Sequence, residues 1–360
     1  MIDHVGPSFT RYDVRGLASL TPILRGSGGG IYVLEFADGS QYVGQTVDFV
    51  ARMTTHLRGG GRHHGPWRDV VAVSVMNVPF GEFDDWERAV IEQRRAAGSP
   101  LRNKVFNLGF VGPSALDHVI PVARQTHWAT GGGDFGIEQY AGAAGRAPGA
   151  VPQLFQSKDA LRVRDFGDGW IATGAELVVG ALAAIVSEVI PDAPALESEY
   201  WTVTDYPSTG GGRFAALNVG GLELAYFPRQ SWLDDDLDAV MLNLPAGTVL
   251  KGGDPPLERG GSEPREAEFP SGEKCWATSV NYGMTVTDTV LVPTANFFMK
   301  GLMEDWGVAD VLRAFVIDLM RAGDSRKFAR WHSAELARRV YEEVVSFSSL
   351  QEAPLDECSQ

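Results

Sequence analysis

Gly30-Ile31-Tyr32-Val33-Leu34-Glu35-Phe36-Ala37-Asp38-Gly39-Ser40-Gln41-Tyr42-Val43-Gly44 is the stretch on which the fold turns. Ile31–Phe36 and Gln41–Val43 read as two strands around Ala37-Asp38-Gly39, a hairpin signal. A two-residue turn at Asp38-Gly39 would pair Tyr42 with Glu35 and put Tyr32 and Tyr42 on opposite faces. A three-residue loop with Gly39 in the left-handed conformation shifts the pairing by one and puts both phenols on one face. Cooperation between the tyrosines requires the second register, and that is the one predicted.

Outward from the hairpin, Asp48 is placed to cap a helix running to about Leu57, with Val50, Met53 and Leu57 as its core stripe. Arg52 and His56, four residues apart, fall on a neighbouring face and can point at one site. Gly59-Gly60-Gly61 ends that helix, and His63 and His64 follow in a loop. Val70–Val75 reads as a buried strand. Asp84 to about Ala97 reads as a second helix, with Trp86, Ala89, Val90 and Gln93 facing inward. Pro100 precedes Leu101-Arg102-Asn103 and a last short element. Residues 1–29 form an N-terminal extension whose Gly26-Ser27-Gly28-Gly29 makes a flexible lead into the first strand.

Cleaving a phosphodiester needs an activated water, a cation against the charge that develops on phosphorus, and help for the leaving oxygen. Arginine suits the phosphate because its planar fork donates two parallel hydrogen bonds. A carboxylate-held Mg²⁺ or Mn²⁺ supplies Lewis acidity. Tyrosine acts as a general base only if its proton affinity is lowered from an ordinary pKa of about 10. Taken singly, each residue has a plain structural explanation. Tyr32 and Tyr42 suit strands, Arg52 and His56 suit a solvated helix face, and Asp84 with Glu87 resembles a capping box.

The ordered set changes that balance. Gly30-Ile31-Tyr32, then Tyr42-Val43-Gly44 ten residues on, then Arg52, His56, Glu87 and Asn103 resembles the GIY-YIG endonuclease family in order and spacing. Valine stands where the second motif usually carries isoleucine. The resemblance covers about residues 30–107 and implies a small mixed β-sheet flanked by helices. It implies catalytic roles for Tyr32, Tyr42, Arg52, His56 and Glu87, with Glu87 holding a divalent metal, Mg²⁺ or Mn²⁺. Supporting roles fall on Gly44, Asn103 and either His63 or His64. The implied activity is that of a phosphodiesterase, a metal-dependent DNA endonuclease, with RNA left open as a substrate.

The rest of the chain reads as α+β. Residues 111–160, rich in Gly, Ala and Pro around 130–157, are expected as a linker or long loop, and 161–360 as an acidic α+β domain with a helical tail. Glu176–Val189 is predicted helical. Trp201–Asp205, Phe214–Val219 and Leu222–Tyr226 are predicted strands, and residues 251–274 a long exposed loop. Helices are expected over about 308–322 and 325–347. Asp234-Asp235-Asp236 with Asp238 reads as a charged helix start rather than a cation site. Trp201, Tyr206, Tyr226 and Phe227 read as strand-packing core rather than a base-stacking platform.

Charge separates the two parts. Residues 1–110 hold 12 basic and 11 acidic side chains, which leaves 19 basic and 35 acidic for the remainder of a chain of net charge −15. Phosphate contact therefore belongs in the first part, since basic side chains carry most phosphate affinity. The acidic remainder suits a protein partner that recruits or restrains the nuclease. A different enzyme on the same scaffold, acting on a small anionic substrate, is the other alternative. No apolar run is long enough to span a bilayer, no signal-like stretch opens the chain, and Cys275 and Cys358 imply neither disulfide nor zinc site. A cytoplasmic location is the expectation.

Overall fold

The computed structural model describes residues 8–17, 19–58, 66–103, 113–131, 136–167, 169–207, 212–229, 239–250, 263–282, 285–293 and 307–351. The chain divides into two compact units, Met1–Gly112 and Pro113–Gln360.

The first unit holds β1 (Thr10–Asp13), α1 (Thr21–Leu24), β2 (Gly30–Phe36), β3 (Gln41–Thr46), α2 (Phe49–Arg58), β4 (Val70–Asn77) and α3 (Phe83–Ala96). Its sheet runs β1-β4-β2-β3, with every neighbouring pair antiparallel. A parallel bridge from Gln41 to Leu101 extends the outer edge of β3. Alternation along β2 divides the core. Tyr32, Leu34 and Phe36 pack with Leu24, Phe49 and Met53, whereas Ile31 and Val33 pack with Val43, Met76, Val90 and Ile91. One face is thus covered by α1 and α2, the other by α3.

The hairpin adopts the predicted register. Glu35 pairs with Gln41 and Leu34 with Tyr42, and Gly39 closes a three-residue loop at φ +81°. Asp48 caps α2, its Oδ1 accepting the Ala51 amide at 3.1 Å. On α3, Val90 and Ile91 face inward, whereas Ala89 and Gln93, expected inside, are exposed.

The N-terminal extension contributes more than a flexible lead. Thr10–Asp13 pairs with β4 as an edge strand. The glycine-rich approach to β2 is tied down by Asn77, whose side-chain amide donates to the carbonyls of Ser27 and Gly29. Gly30 itself has no room for a side chain, because a Cβ there would lie 2.0 Å from the Met76 carbonyl oxygen.

In the second unit a seven-stranded antiparallel sheet runs β11-β12-β13-β10-β9-β8-β7. Its strands are β7 (Trp201–Asp205), β8 (Arg213–Val219), β9 (Leu222–Pro228), β10 (Ala239–Pro245), β11 (Arg265–Glu268), β12 (Lys274–Asn281) and β13 (Val286–Pro293). A separate hairpin pairs β5 (Val163–Asp165) with β6 (Ile171–Thr173). Helices α4 (Val122–Ala129), α5 (Ile137–Ala144), α6 (Gly174–Val189), α7 (Ala193–Leu196), α8 (Ala309–Ala322), α9 (Arg326–Ala329) and α10 (Ala334–Gln351) complete it. A capping box opens α6, in which Thr173 Oγ1 accepts the Glu176 amide and Glu176 Oε2 accepts the Thr173 amide.

Three expectations change here. Residues 113–131 and 136–160, expected within a linker or long loop, contain α4 and α5 and are anchored: Trp128 Nε1 donates to the Val189 carbonyl at 3.0 Å, and Tyr140 meets Tyr341 edge-on. Widely spaced aromatics do this work, and a Gly- and Ala-rich composition hides them. Within the expected 251–274 loop, Arg265–Glu268 is a strand paired with β12. The expected helix over 325–347 is broken at residues 330–333. There the half-buried His332 lies between β7 and Glu197, its Nδ1 accepting the Val203 amide at 3.2 Å and its Nε2 lying 3.0 Å from Glu197 Oε1. Trp201 and Phe227 are fully buried, as a packing role requires. The Asp234–Asp238 cluster lies outside the described residues.

Candidate active site

The predicted register puts Tyr32 and Tyr42 on the face that α2 covers, their ring centroids 6.2 Å apart. Because α2 presents residues four apart side by side, Arg52 and His56 both reach the Tyr32 hydroxyl. His56 Nε2 lies 2.7 Å from Tyr32 Oη, and Arg52 Nε donates to the same oxygen at 3.2 Å. Tyr32 and His56 are buried, Tyr42 is half-buried and Arg52 is exposed. A buried phenol–imidazole pair therefore opens to solvent through a guanidinium.

Gly44 faces Tyr32 directly across the β2–β3 ladder. A Cβ at this position would lie 2.4 Å from Tyr32 Oη and 2.5 Å from Cζ, so the phenol occupies the space any side chain would need. This explains the second-motif glycine by close approach rather than by a strand end.

Glu87 comes from the opposite side of the sheet. It is half-buried on α3, and Gln45 Nε2 donates to its Oε2 at 2.9 Å. Gln45 lies two residues beyond Val43 and so shares the face that α3 covers. The carboxylate still bears on the tyrosines. Burial raises the Tyr32 pKa far above that of a free phenol; Tyr42 and Glu87 push the same way and Arg52 opposes them. Tyr42 is raised for the same leading reason, with Glu87 next. Tyr32 thus keeps its proton at neutral pH, and any role as a base needs somewhere for that proton to go. His56 is 2.7 Å away.

Asn103 is buried beside the edge strand. Its Oδ1 accepts the Val43 amide at 2.8 Å and its Nδ2 donates to the Val43 carbonyl at 2.7 Å. Arg102 beside it donates to Asp38 and Asp69 at 2.8 and 2.6 Å and lies 3.5 Å over the Phe36 ring, fixing the hairpin end. Asn103 therefore holds the backbone next to Gly44 rather than reaching the phenols. His63 and His64 lie outside the described residues.

Sequence reading missed two neighbours. Gln45 was recoverable from strand alternation. Trp67 stacks on His56 with ring centroids 4.6 Å apart and an interplanar angle of 3°. Its only sequence signal was an aromatic residue shortly before a buried strand.

Residues 28–100 match the family model described as the GIY-YIG catalytic domain, so this part of the chain is similar to a nuclease family. The matched span contains Tyr32, Tyr42, Arg52, His56 and Glu87 and ends before Asn103. No curated protein and no solved structure matches the chain.

Proposed function

We propose that this protein is a metal-dependent endonuclease that hydrolyses DNA phosphodiester bonds, with residues 30–110 as the nuclease module and 161–360 setting target or partner choice. The observation that carries this reading is the Tyr32 hydroxyl, held between His56 Nε2 at 2.7 Å and Arg52 Nε at 3.2 Å. A water oxygen attacks phosphorus as Tyr32 Oη takes its proton, and the phenolic proton passes to His56 Nε2. The bond to the leaving 3′ oxygen breaks, and that oxygen departs with the electron pair and takes a proton from solvent. Arg52 holds the phosphate through its exposed guanidinium, and Tyr42 packs the phenol in place.

Glu87 fits a hard divalent ion. Its oxygens suit Mg²⁺ or Mn²⁺, which bind through one or two carboxylates with water and substrate phosphate completing the shell. Among the described residues no group of three or more His, Cys, Asp or Glu side chains is placed to hold a metal ion. The bound ion would supply Lewis-acid stabilisation of charge on the leaving oxygen.

Cleavage of supercoiled plasmid, single-stranded DNA and RNA with Mg²⁺ or Mn²⁺ tests the reading. Wild type is expected to cut DNA, and Glu87→Ala to lose that activity. Inactivity on every polymer with both metals would remove the nuclease reading. Cleavage that survives Glu87→Ala would remove Glu87 as the anchor of the metal.

A second reading, in which a protein partner recruits the nuclease, is favoured by the surplus of 35 acidic over 19 basic residues after position 110. The β5–β6 hairpin supports it as well, with Val163, Phe166, Trp170 and Ile171 exposed.

A further inference from the structure

His56 is only 3 % exposed, and burial disfavours the imidazolium that forms if it takes the phenolic proton. Something must offset that cost. Trp67 lies parallel to the imidazole at 4.6 Å, so the electron-rich indole face meets the ring that would become charged. The indole is itself fixed. Its backbone amide donates to the His56 carbonyl at 2.8 Å, and it meets Tyr42 at 4.9 Å and Phe36 at 5.3 Å in edge contacts.

Resting on the nuclease reading above, we propose that Trp67 is a positioning residue for the Tyr32–His56 pair. Its face holds the imidazole where Nε2 meets the phenol, and favours the cation formed when His56 accepts the proton. Among the described residues, the titratable and charged groups set around His56 are Tyr32 from β2, Tyr42 from β3 and Arg52 from its own helix. Glu87 from α3 acts on both tyrosines. An indole serving only as filler would need no parallel stack; edge contacts of the kind it makes with Phe36 would fill the same space.

Two changes in the full chain test this: Trp67→Leu, and a polyfluorinated tryptophan introduced at position 67, which keeps the shape and depletes the π face. His56 titration is followed by NMR of histidine-labelled protein, assigned with His56→Gln, alongside the pH profile of single-turnover cleavage. Both changes are expected to lower the His56 midpoint, by about half to one pH unit for Trp67→Leu. The acid limb of cleavage moves down with it and the plateau rate falls. A folded fluorinated protein whose His56 midpoint equals that of wild type overturns the proposal, whether or not Trp67→Leu folds. A shifted midpoint in a chain that cuts no polymer removes the nuclease reading and leaves the Trp67–His56 coupling in place.

Discussion

A methyl group at position 44 is the smallest change that reaches the Tyr32 hydroxyl. The Tyr32 ring is fully buried, so it has little room to retreat from a Cβ that would sit 2.4 Å from its hydroxyl. Gly44→Ala is therefore expected to cost about 1–3 kcal/mol of stability by overpacking. It should also lower the cleavage rate by about a hundredfold or more, because an ångström of misplacement is enough for that. Thermal unfolding and single-turnover cleavage, measured on the same preparation, check both. A Gly44→Ala protein with wild-type rate would mean that the phenol is not where the reaction happens. At this scale the sequence was informative about identities and less so about partners. The convergence of Tyr32, Arg52 and His56 was readable because helix and strand periodicities are fixed by backbone geometry. Trp67 was not, because its stack on His56 joins residues eleven apart that share no element, and no local period encodes that contact.

Elements position these residues through one edge of the sheet. β3 is the outer strand of the four-stranded sheet, and the segment 100–103 lies along it: Gln41 N donates to Pro100 O at 2.8 Å and Arg102 N to Gln41 O at 2.7 Å. Asn103 closes this contact on both polar groups of Val43. Asn103→Ala would leave two buried backbone groups without that partner, an expected loss of about 2–6 kcal/mol at about 1–3 kcal/mol per group. Faster hydrogen exchange at the Val43 amide is the specific sign, and unchanged exchange there would contradict the assignment. The hairpin itself was legible to the residue, since a three-residue loop ending in glycine leaves one register that puts both tyrosines on one face. β1 was not legible. Thr10-Arg11-Tyr12-Asp13 is short and polar, and it becomes a strand only through the β4 edge it covers. Similarly, His332 interrupts an amphipathic run because its imidazole is claimed by the Val203 amide and Glu197, neither of which is near in sequence.

At the scale of the molecule, two units carry unlike charge and unlike legibility. The first unit holds the family match and a near balance of charges; the second holds the acidic surplus and a seven-stranded sheet. Three strands of that sheet had sequence signals, in β7, β8 and β9. Of the remaining four, β11 is set apart from β10 by the polar, Gly- and Pro-rich stretch 246–264, whereas β11, β12 and β13 follow one another closely and had no sequence signal of their own. Among the described residues no helix is long and apolar enough to cross a membrane. If this chain cuts phosphodiesters with the Tyr32 hydroxyl, removing that oxygen alone must slow it. Single-turnover cleavage of DNA with Mg²⁺ or Mn²⁺ is measured for the full chain and for Tyr32→Phe, which keeps the packed ring and removes only the oxygen. A fall of about 10²–10⁴ in rate is expected, the usual worth of a general base, with the melting temperature little changed. A Tyr32→Phe protein that cuts as fast as wild type would contradict it.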